Sequence, residues 1–76
     1  METMKIAIDT EYIPANNLLK YAGVVDTGGQ AAQLIEEGLV YLDGNRISEK
    51  RKKVYPGSHL QVRGQWDIEV TAEDAD

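Results

Sequence analysis

The basic residues of this chain are concentrated in residues 46–63, which read RISEKRKKVYPGSHLQVR. This segment holds six Lys or Arg and one Glu, so its formal charge is 6 − 1 = +5, whereas the whole chain carries −5. Residues 1–45 sum to 2 − 7 = −5 and residues 64–76 to 0 − 5 = −5. A cationic segment in an acidic chain is typical of contact with a polyanion, because the acidic remainder repels that partner everywhere else. The competing interpretation is a solvated loop without function.

Few other residues could support chemistry. The chain has one histidine and no cysteine, which excludes Cys-His pairs, multi-histidine metal sites and disulfide frameworks. A Ser-His-Asp triad would need Ser48 or Ser58 beside His59, and no nucleophile-elbow spacing supports it. We expect His59 to be a solvent-exposed strand residue. Glu36 and Glu37 are adjacent in a predicted helix, so they point about 100° apart and do not form a two-carboxylate site.

Length and composition indicate one globular domain. A chain of 76 residues buries only about 60% of its extended surface, which leaves no room for a second fold. No apolar run approaches the roughly 20 residues that span a bilayer, and the N-terminus lacks the pattern of a signal peptide. We therefore expect a cytoplasmic domain over residues 1–71, followed by an acidic disordered tail over residues 72–76.

Two short helices are predicted. Residues 14–22 begin with Pro14, which is favoured as a first helical residue, and Gly23 is a stop signal. Residues 28–37 carry apolar side chains at the i, i+3, i+4 spacing of a buried stripe, and Thr27 can cap their first turn.

The rest of the chain has the patterns of strands and turns. Strands are expected over residues 4–8, as an edge strand, and over residues 39–42, 59–63 and 66–70. Turn signals follow or separate them at Asp43-Gly44, Pro56-Gly57 and Gly64-Gln65. The order predicts an α+β domain with two helices packed on one side of a small bent antiparallel sheet.

Residues 27–44, TGGQAAQLIEEGLVYLDG, resemble the centre of the S4 RNA-binding domain. That family combines a Thr- or Ser-opened helix, a Gln-Ala pair and Leu-Ile with a glycine, a Val-rich strand and Asn-Gly. Residues 18–22 are similar to its first helix, and Pro56-Gly57 with the alternating residues after it is similar to its last turn and strand. The resemblance covers about residues 14–63.

The glycine pair that opens the second helix and the KRKK run make the chain similar to the small stand-alone bacterial subgroup of S4-like proteins, often labelled YaaA/YbcJ-type. The resemblance implies an S4-like fold and structured RNA as the partner, ribosomal RNA or the ribosome included. It implies a monomer without catalytic activity. No cofactor, metal, small-molecule substrate or membrane contact is expected.

One departure from the family affects the expected site. Many S4 domains carry Arg or Lys on the RNA-facing side of the second helix, at the positions of Gly28, Ala32, Gln33 and Leu39 here. RNA contact is therefore expected from the later basic loop and the start of this helix. The candidate RNA-binding residues are Lys20, Gly28, Gly29, Gln30, Arg46, Lys50, Arg51, Lys52 and Lys53.

These residues would act in two ways. The cations would contact phosphates, while the backbone amides of Gly28 and Gly29 and the side chain of Gln30 would donate hydrogen bonds to phosphate or 2′-OH. A tight helix-helix turn is the alternative reason for the two glycines. An exposed Tyr21, Tyr55 or Trp66 could stack on an unpaired base, although packing within the domain is the preferred interpretation for these aromatic residues.

Two other functions stay open. A protein-interaction adaptor on the same fold would use the basic loop to dock an acidic partner, and the missing helix cations and the net charge of −5 favour it. A small hydrolase that uses His59 is the least favoured hypothesis.

Overall fold

The computed structural model describes residues 2–73. Two helices and seven strands follow one another along these residues. They are β1 (Glu2–Ile8), β2 (Ile13–Pro14), α1 (Ala15–Tyr21), α2 (Gly28–Glu36), β3 (Val40–Leu42), β4 (Asn45–Arg46), β5 (Lys53–Val54), β6 (His59–Val62) and β7 (Trp66–Ala72). Both predicted helices are confirmed, and each ends one residue earlier than expected. The first also begins one residue later, at Ala15, because Pro14 has extended backbone angles and is the N-cap.

Five strands form one sheet in the order β1-β7-β6-β3-β4, and β2 pairs with β5 in a separate ribbon. The pairs among β3, β4, β6 and β7 are antiparallel. In contrast, β1 runs parallel to β7, from Glu2 opposite Trp66 to Ile8 opposite Ala72. The α+β class and the edge position of β1 are confirmed, but the sheet is mixed and not wholly antiparallel. A parallel pair needs a long connection, and here the connection is most of the domain.

The three predicted turns have the required backbone geometry. Asp43 and Gly44 have consecutive positive φ values of 50° and 89°, as a two-residue type I′ hairpin requires. At Pro56-Gly57, Gly57 has a φ of 98° and the Ser58 N–H donates to the Tyr55 carbonyl at 3.0 Å, which is a type II turn.

One core joins the helices to the inner face of the sheet. Its members are fully or nearly buried aliphatic side chains from both helices, the five-stranded sheet, β5 and the loop before β5. They are Ile8, Ala15, Leu18, Leu19, Ala31, Ile35, Val40, Ile47, Val54, Leu60, Val62, Ile68 and Val70. Trp66 and Leu34 are partly buried against this cluster, so the expectation that Trp66 packs within the domain is confirmed.

The ordered domain extends further toward the C-terminus than the sequence indicated. Ala72 is the last residue of β7 and pairs with Ile8, and the Glu73 N–H donates to the Ile8 carbonyl at 2.7 Å. The predicted boundary between domain and tail is therefore wrong by two residues, because β1 supplies backbone partners to this segment. The remaining residues of the predicted tail, 74–76, lie outside the described residues. Within residues 2–73, no helix has the length and hydropathy needed to cross a bilayer.

Candidate nucleic-acid interface

The basic loop, defined here as residues 46–53, is anchored at both ends by buried side chains. Ile47 is 7% exposed and the residue after the loop, Val54, is fully buried. The Ile47 N–H also donates to the Val40 carbonyl at 3.1 Å. Because both anchors belong to the core, the segment between them has fixed end points.

The backbone of the basic loop caps the first helix. The α1 start has no side-chain cap, because its N-cap residue is Pro14. Instead, the Ala15 N–H donates to the Lys52 carbonyl at 2.8 Å and the Asn16 N–H to the Lys50 carbonyl at 2.9 Å. The first N–H groups of any helix lack intrahelical partners, so these two bonds stabilise α1 and fix the loop at the same time.

The side chains of the loop project from this fixed backbone. Arg46, Lys50, Arg51, Lys52 and Lys53 are all exposed, and with one Glu the loop has a formal charge of 5 − 1 = +4. Among residues 2–73 the only ion pair joins His59 to Asp67, so no cation of the loop forms an ion pair with an acid of this part of the chain. The loop is a concentrated positive charge available to a partner.

Arg46 lies beside the end of the second helix. A Cβ added to Gly38, which follows α2, would lie 3.2 Å from both Cδ and Nη1 of Arg46. The guanidinium therefore lies next to the C-terminal end of α2, where the helix dipole favours a cation. Arg46 also shares a groove of about 370 Å³ with Lys52, so it belongs to the same surface as the rest of the loop.

Two tyrosines border the loop on its other side. The Lys53 Nζ lies 4.9 Å from the centroid of the Tyr12 ring. The Tyr12 and Tyr55 rings have their centroids 5.7 Å apart at an angle of 50°. Tyr21 is 67% exposed, so the preference for packing within the domain is wrong there, whereas Tyr55 is 43% exposed and also packs against Tyr12. Sequence reasoning did not identify Tyr12. Its position beside the basic loop depends on the two-residue pairing of β2 with β5, which no local sequence pattern indicates.

The start of α2 is organised by its own polar residues. The Thr27 Oγ1 accepts a hydrogen bond from the Gln30 N–H at 3.1 Å, and the Gln30 Oε1 accepts one from the Asp26 N–H at 2.8 Å. This reciprocal arrangement is a variant of the capping box. It occupies the side-chain oxygen of Gln30, which leaves the amide Nε2 as the group that can donate to a ligand.

Neither steric contacts nor backbone angles in the described part of the chain require glycine at positions 28 and 29. A Cβ on Gly28 would meet nothing within 4 Å, and one on Gly29 would meet only the Thr27 Oγ1 at 3.8 Å. Neither has the positive φ that favours glycine. Tight packing in a helix-helix turn therefore does not account for the pair, and the surface above their N–H groups is open.

The structure divides the predicted site into separate places. The basic loop reaches one end of α2 through Arg46, whereas Gly28, Gly29 and Gln30 form the other end. A nine-residue helix separates its ends by about 12 Å. Lys20 lines a different groove, of about 620 Å³, between α1 and the end of β1.

His59 is paired with an aspartate. Its Nδ1 lies 2.9 Å from the Asp67 Oδ1, and its backbone N–H donates to the Asp43 Oδ1 at 2.9 Å. The hydrogen bond to Asp67, aided by the charges of Asp67, Glu69 and Asp43, raises the pKa of His59 against a smaller effect of burial. The side chain is 45% exposed, so the predicted solvent exposure of His59 is confirmed only in part.

Other catalytic constellations are missing from the described residues. No hydrogen bond in residues 2–73 joins His59 to a hydroxyl. That same part of the chain has no cluster of three or more His, Cys, Asp or Glu side chains able to hold a metal ion.

The helix pair, the small sheet and the basic loop define a known class of domain. The sequence pattern of the S4 domain matches residues 6–71, and the chain belongs to the S4 domain family. The resemblance seen over residues 14–63 is thus confirmed and extends to β1 and β7. The chain is similar to the "Probable ribosome maturation protein RlbA" of Bacillus subtilis (strain 168), with 31% identity over 65 residues that cover 86% of this chain and 92% of the relative.

Proposed function

We propose that this protein binds structured RNA without catalysing a reaction, with the basic loop as the main contact and the start of α2 as a second one. The observation that carries the proposal is the set of exposed cations, Arg46 and residues 50–53, on a backbone fixed by α1. Because the acidic remainder of the chain repels a polyanion, binding is directed to this surface.

The family supports the same function. The chain is an S4 domain over nearly its whole length, and its relative is named for ribosome maturation. We therefore propose ribosomal RNA, free or within an assembling ribosomal particle, as the setting in which the loop acts.

The geometry favours structured RNA over a flexible strand. Arg46 lies near the C-terminal end of α2, and this nine-residue helix is about 12 Å long, so Arg46 and the start of α2 can contact phosphates together only when those phosphates have fixed separations. Protein contacts to double-stranded RNA are made mostly with phosphates and 2′-hydroxyls, through shape and not sequence. Four or five phosphate contacts predict that the logarithm of affinity falls with the logarithm of salt concentration at a slope of about −3 to −5.

The test is fluorescence anisotropy of the protein with ribosomal RNA fragments and with poly(U) across a salt series. The wild type is expected to bind the structured fragments more tightly. The variant with alanine at Lys50, Arg51, Lys52 and Lys53 is expected to lose about a hundredfold or more in affinity, and most of the salt slope. Circular dichroism should show that this variant is folded, because its changed side chains are exposed.

A matched control removes cations from elsewhere. Lys5 and Arg63 are exposed and lie outside the basic loop, so the double variant Lys5→Ala, Arg63→Ala is expected to keep its affinity within about threefold. Unchanged affinity in the folded four-alanine variant, or no binding by the wild type at low salt, would contradict the proposal. Either result would favour the adaptor that docks an acidic protein.

The second contact has its own test. Alanine at both Gly28 and Gly29 has room in the free protein and is expected to leave the fold intact, with up to about 1 kcal/mol of added stability. The two methyl groups would stand between an RNA backbone and the helix N–H groups, so affinity is expected to fall several-fold. Unchanged affinity would remove α2 from the interface and leave the loop as the sole contact.

A further inference from the structure

Tyr55 lies at the edge of the basic loop in a position suited to stacking. It follows the buried Val54, and its carbonyl accepts the hydrogen bond that closes the Pro56-Gly57 turn. Its ring packs against Tyr12 at a centroid distance of 5.7 Å. The backbone on either side of Tyr55 is therefore fixed, and its ring contacts a neighbouring ring. Even so, 43% of the residue is exposed.

An open cavity of about 370 Å³ borders Tyr55. It is lined by Glu49, Arg51, Lys52, Lys53 and Tyr55. The cations of the basic loop thus surround the exposed part of Tyr55. A nucleotide at this place would find a flat aromatic surface and charge partners for its phosphates together.

The lining of the cavity offers partners to a base as well as to phosphates. Glu49 contributes a carboxylate to the wall, which repels a phosphate but accepts hydrogen bonds from the amino group of a base. The Tyr55 ring offers a π-face, on which any base can stack. Arg51, Lys52 and Lys53 can contact the phosphates on either side of that base.

From this arrangement we infer that Tyr55 is the stacking platform for one unpaired base. The RNA that this protein prefers therefore carries an extrahelical nucleotide beside a paired segment. The inference rests on the proposed function and names its substrate more closely. A fully paired duplex keeps its bases inside the helix and can use only the phosphate contacts, whereas a bulged nucleotide can turn outward onto the ring.

The test compares a short RNA duplex that has one unpaired 2-aminopurine with the same duplex fully paired. The wild type is expected to bind the bulged duplex about fivefold to a hundredfold more tightly, the range that base-aromatic stacking provides. It is also expected to change the fluorescence of the 2-aminopurine on binding. Tyr55→Phe keeps the ring and should keep both effects.

Three variants separate stacking from simple loss of packing. Tyr55→Ala and Tyr55→Leu should lose the preference for the bulge and the fluorescence change while they bind the paired duplex as the wild type does. The leucine variant keeps apolar volume against Tyr12, so it stays informative if the alanine variant is unstable. Tyr21→Ala removes the other exposed tyrosine, which lies outside the basic loop, and should behave as the wild type.

The outcomes distinguish the inference from the function on which it rests. Equal binding of the two duplexes by the wild type overturns the stacking platform and leaves RNA binding by the loop intact. The stacking platform is also overturned if folded Tyr55→Leu still prefers the bulged duplex. It is overturned likewise if Tyr21→Ala loses that preference. Failure of the wild type to bind either duplex at low salt contradicts the proposed function, and the inference with it.

Discussion

The basic loop and the start of α2 both offer donors to an anion, but the donors are of different kinds. The loop presents exposed cations that form no ion pair with an acid among residues 2–73. The helix start presents the neutral backbone N–H groups of Gly28 and Gly29. Side-chain oxygens of Thr27 and Gln30 already accept hydrogen bonds from backbone N–H groups of this segment. Charges act over several ångströms whereas neutral hydrogen bonds need contact, so we expect affinity to depend on the loop and orientation on the helix start.

The two regions also differ in what holds their backbone. The bonds that organise the start of α2 join residues within one short segment, from Asp26 to Gln30. The basic loop has its shape because distant parts of the chain contact it, namely α1 through two hydrogen bonds and the core through Ile47 and Val54. A change in the core should therefore disturb the loop, whereas only a local change should disturb the helix start.

The largest expected effect tests the anchoring of the loop. Ile47→Ala removes a nearly buried side chain and should lower the free energy of unfolding by about 2–5 kcal/mol, measured by urea denaturation. RNA affinity of the folded fraction should fall too, since the loop loses a fixed end. The neighbouring exposed Ser48 gives the control, because Ser48→Ala should change stability by no more than about 0.5 kcal/mol. A cost below about 1 kcal/mol for Ile47→Ala would mean that the loop is not held by the core.

A smaller effect is expected at the start of α2. Thr27→Ala removes the acceptor for the Gln30 N–H and should cost about 1 kcal/mol of stability, visible as a lower Tm, while Thr27→Ser should keep most of it. RNA affinity well below the Tm should change by less than about twofold, because no charge is removed. A large loss of RNA affinity in folded Thr27→Ala would mean that affinity depends more on the start of α2 than on the basic loop.

The smallest effect concerns a charged pair outside both regions. His59 has a raised pKa because of Asp67, so the pair stabilises the fold fully below the ordinary histidine pKa of about 6.5 and less as pH rises through the higher folded pKa. Asp67→Asn should therefore cost more stability at pH 6 than at pH 8. The difference should stay below about 1 kcal/mol, since the histidine side chain is 45% exposed.

Two further readouts complete this comparison. An NMR titration should place the pKa of His59 lower in Asp67→Asn than in the wild type. RNA affinity should be the same in both proteins at pH 8, since the pair lies on the sheet and not in the basic loop. A stability cost independent of pH would show that the carboxylate acts by packing alone, and a changed affinity would extend the interface to the sheet.

Features that depend on neighbouring residues could be predicted from the amino-acid sequence. Gly23, Gly38, Gly44 and Gly57 all adopt the positive φ that glycine tolerates best, so the helix ends and tight turns were predictable. The apolar stripe of α2 and the alternation of β6 and β7 show which side chains face the core. The charge of the basic segment is also a property of the sequence alone, and with the S4-like pattern it indicated the family.

How these pieces meet depends on contacts between distant parts of the chain. Such contacts include the parallel pairing of β1 with β7, the capping of α1 by the carbonyls of Lys50 and Lys52 and the tilted packing of Tyr12 against Tyr55. The free energy of such contacts depends on partners that a local pattern does not contain. For the same reason the nine predicted contact residues could be named from the sequence, whereas their division between the loop, the helix start and the groove of Lys20 required the folded chain.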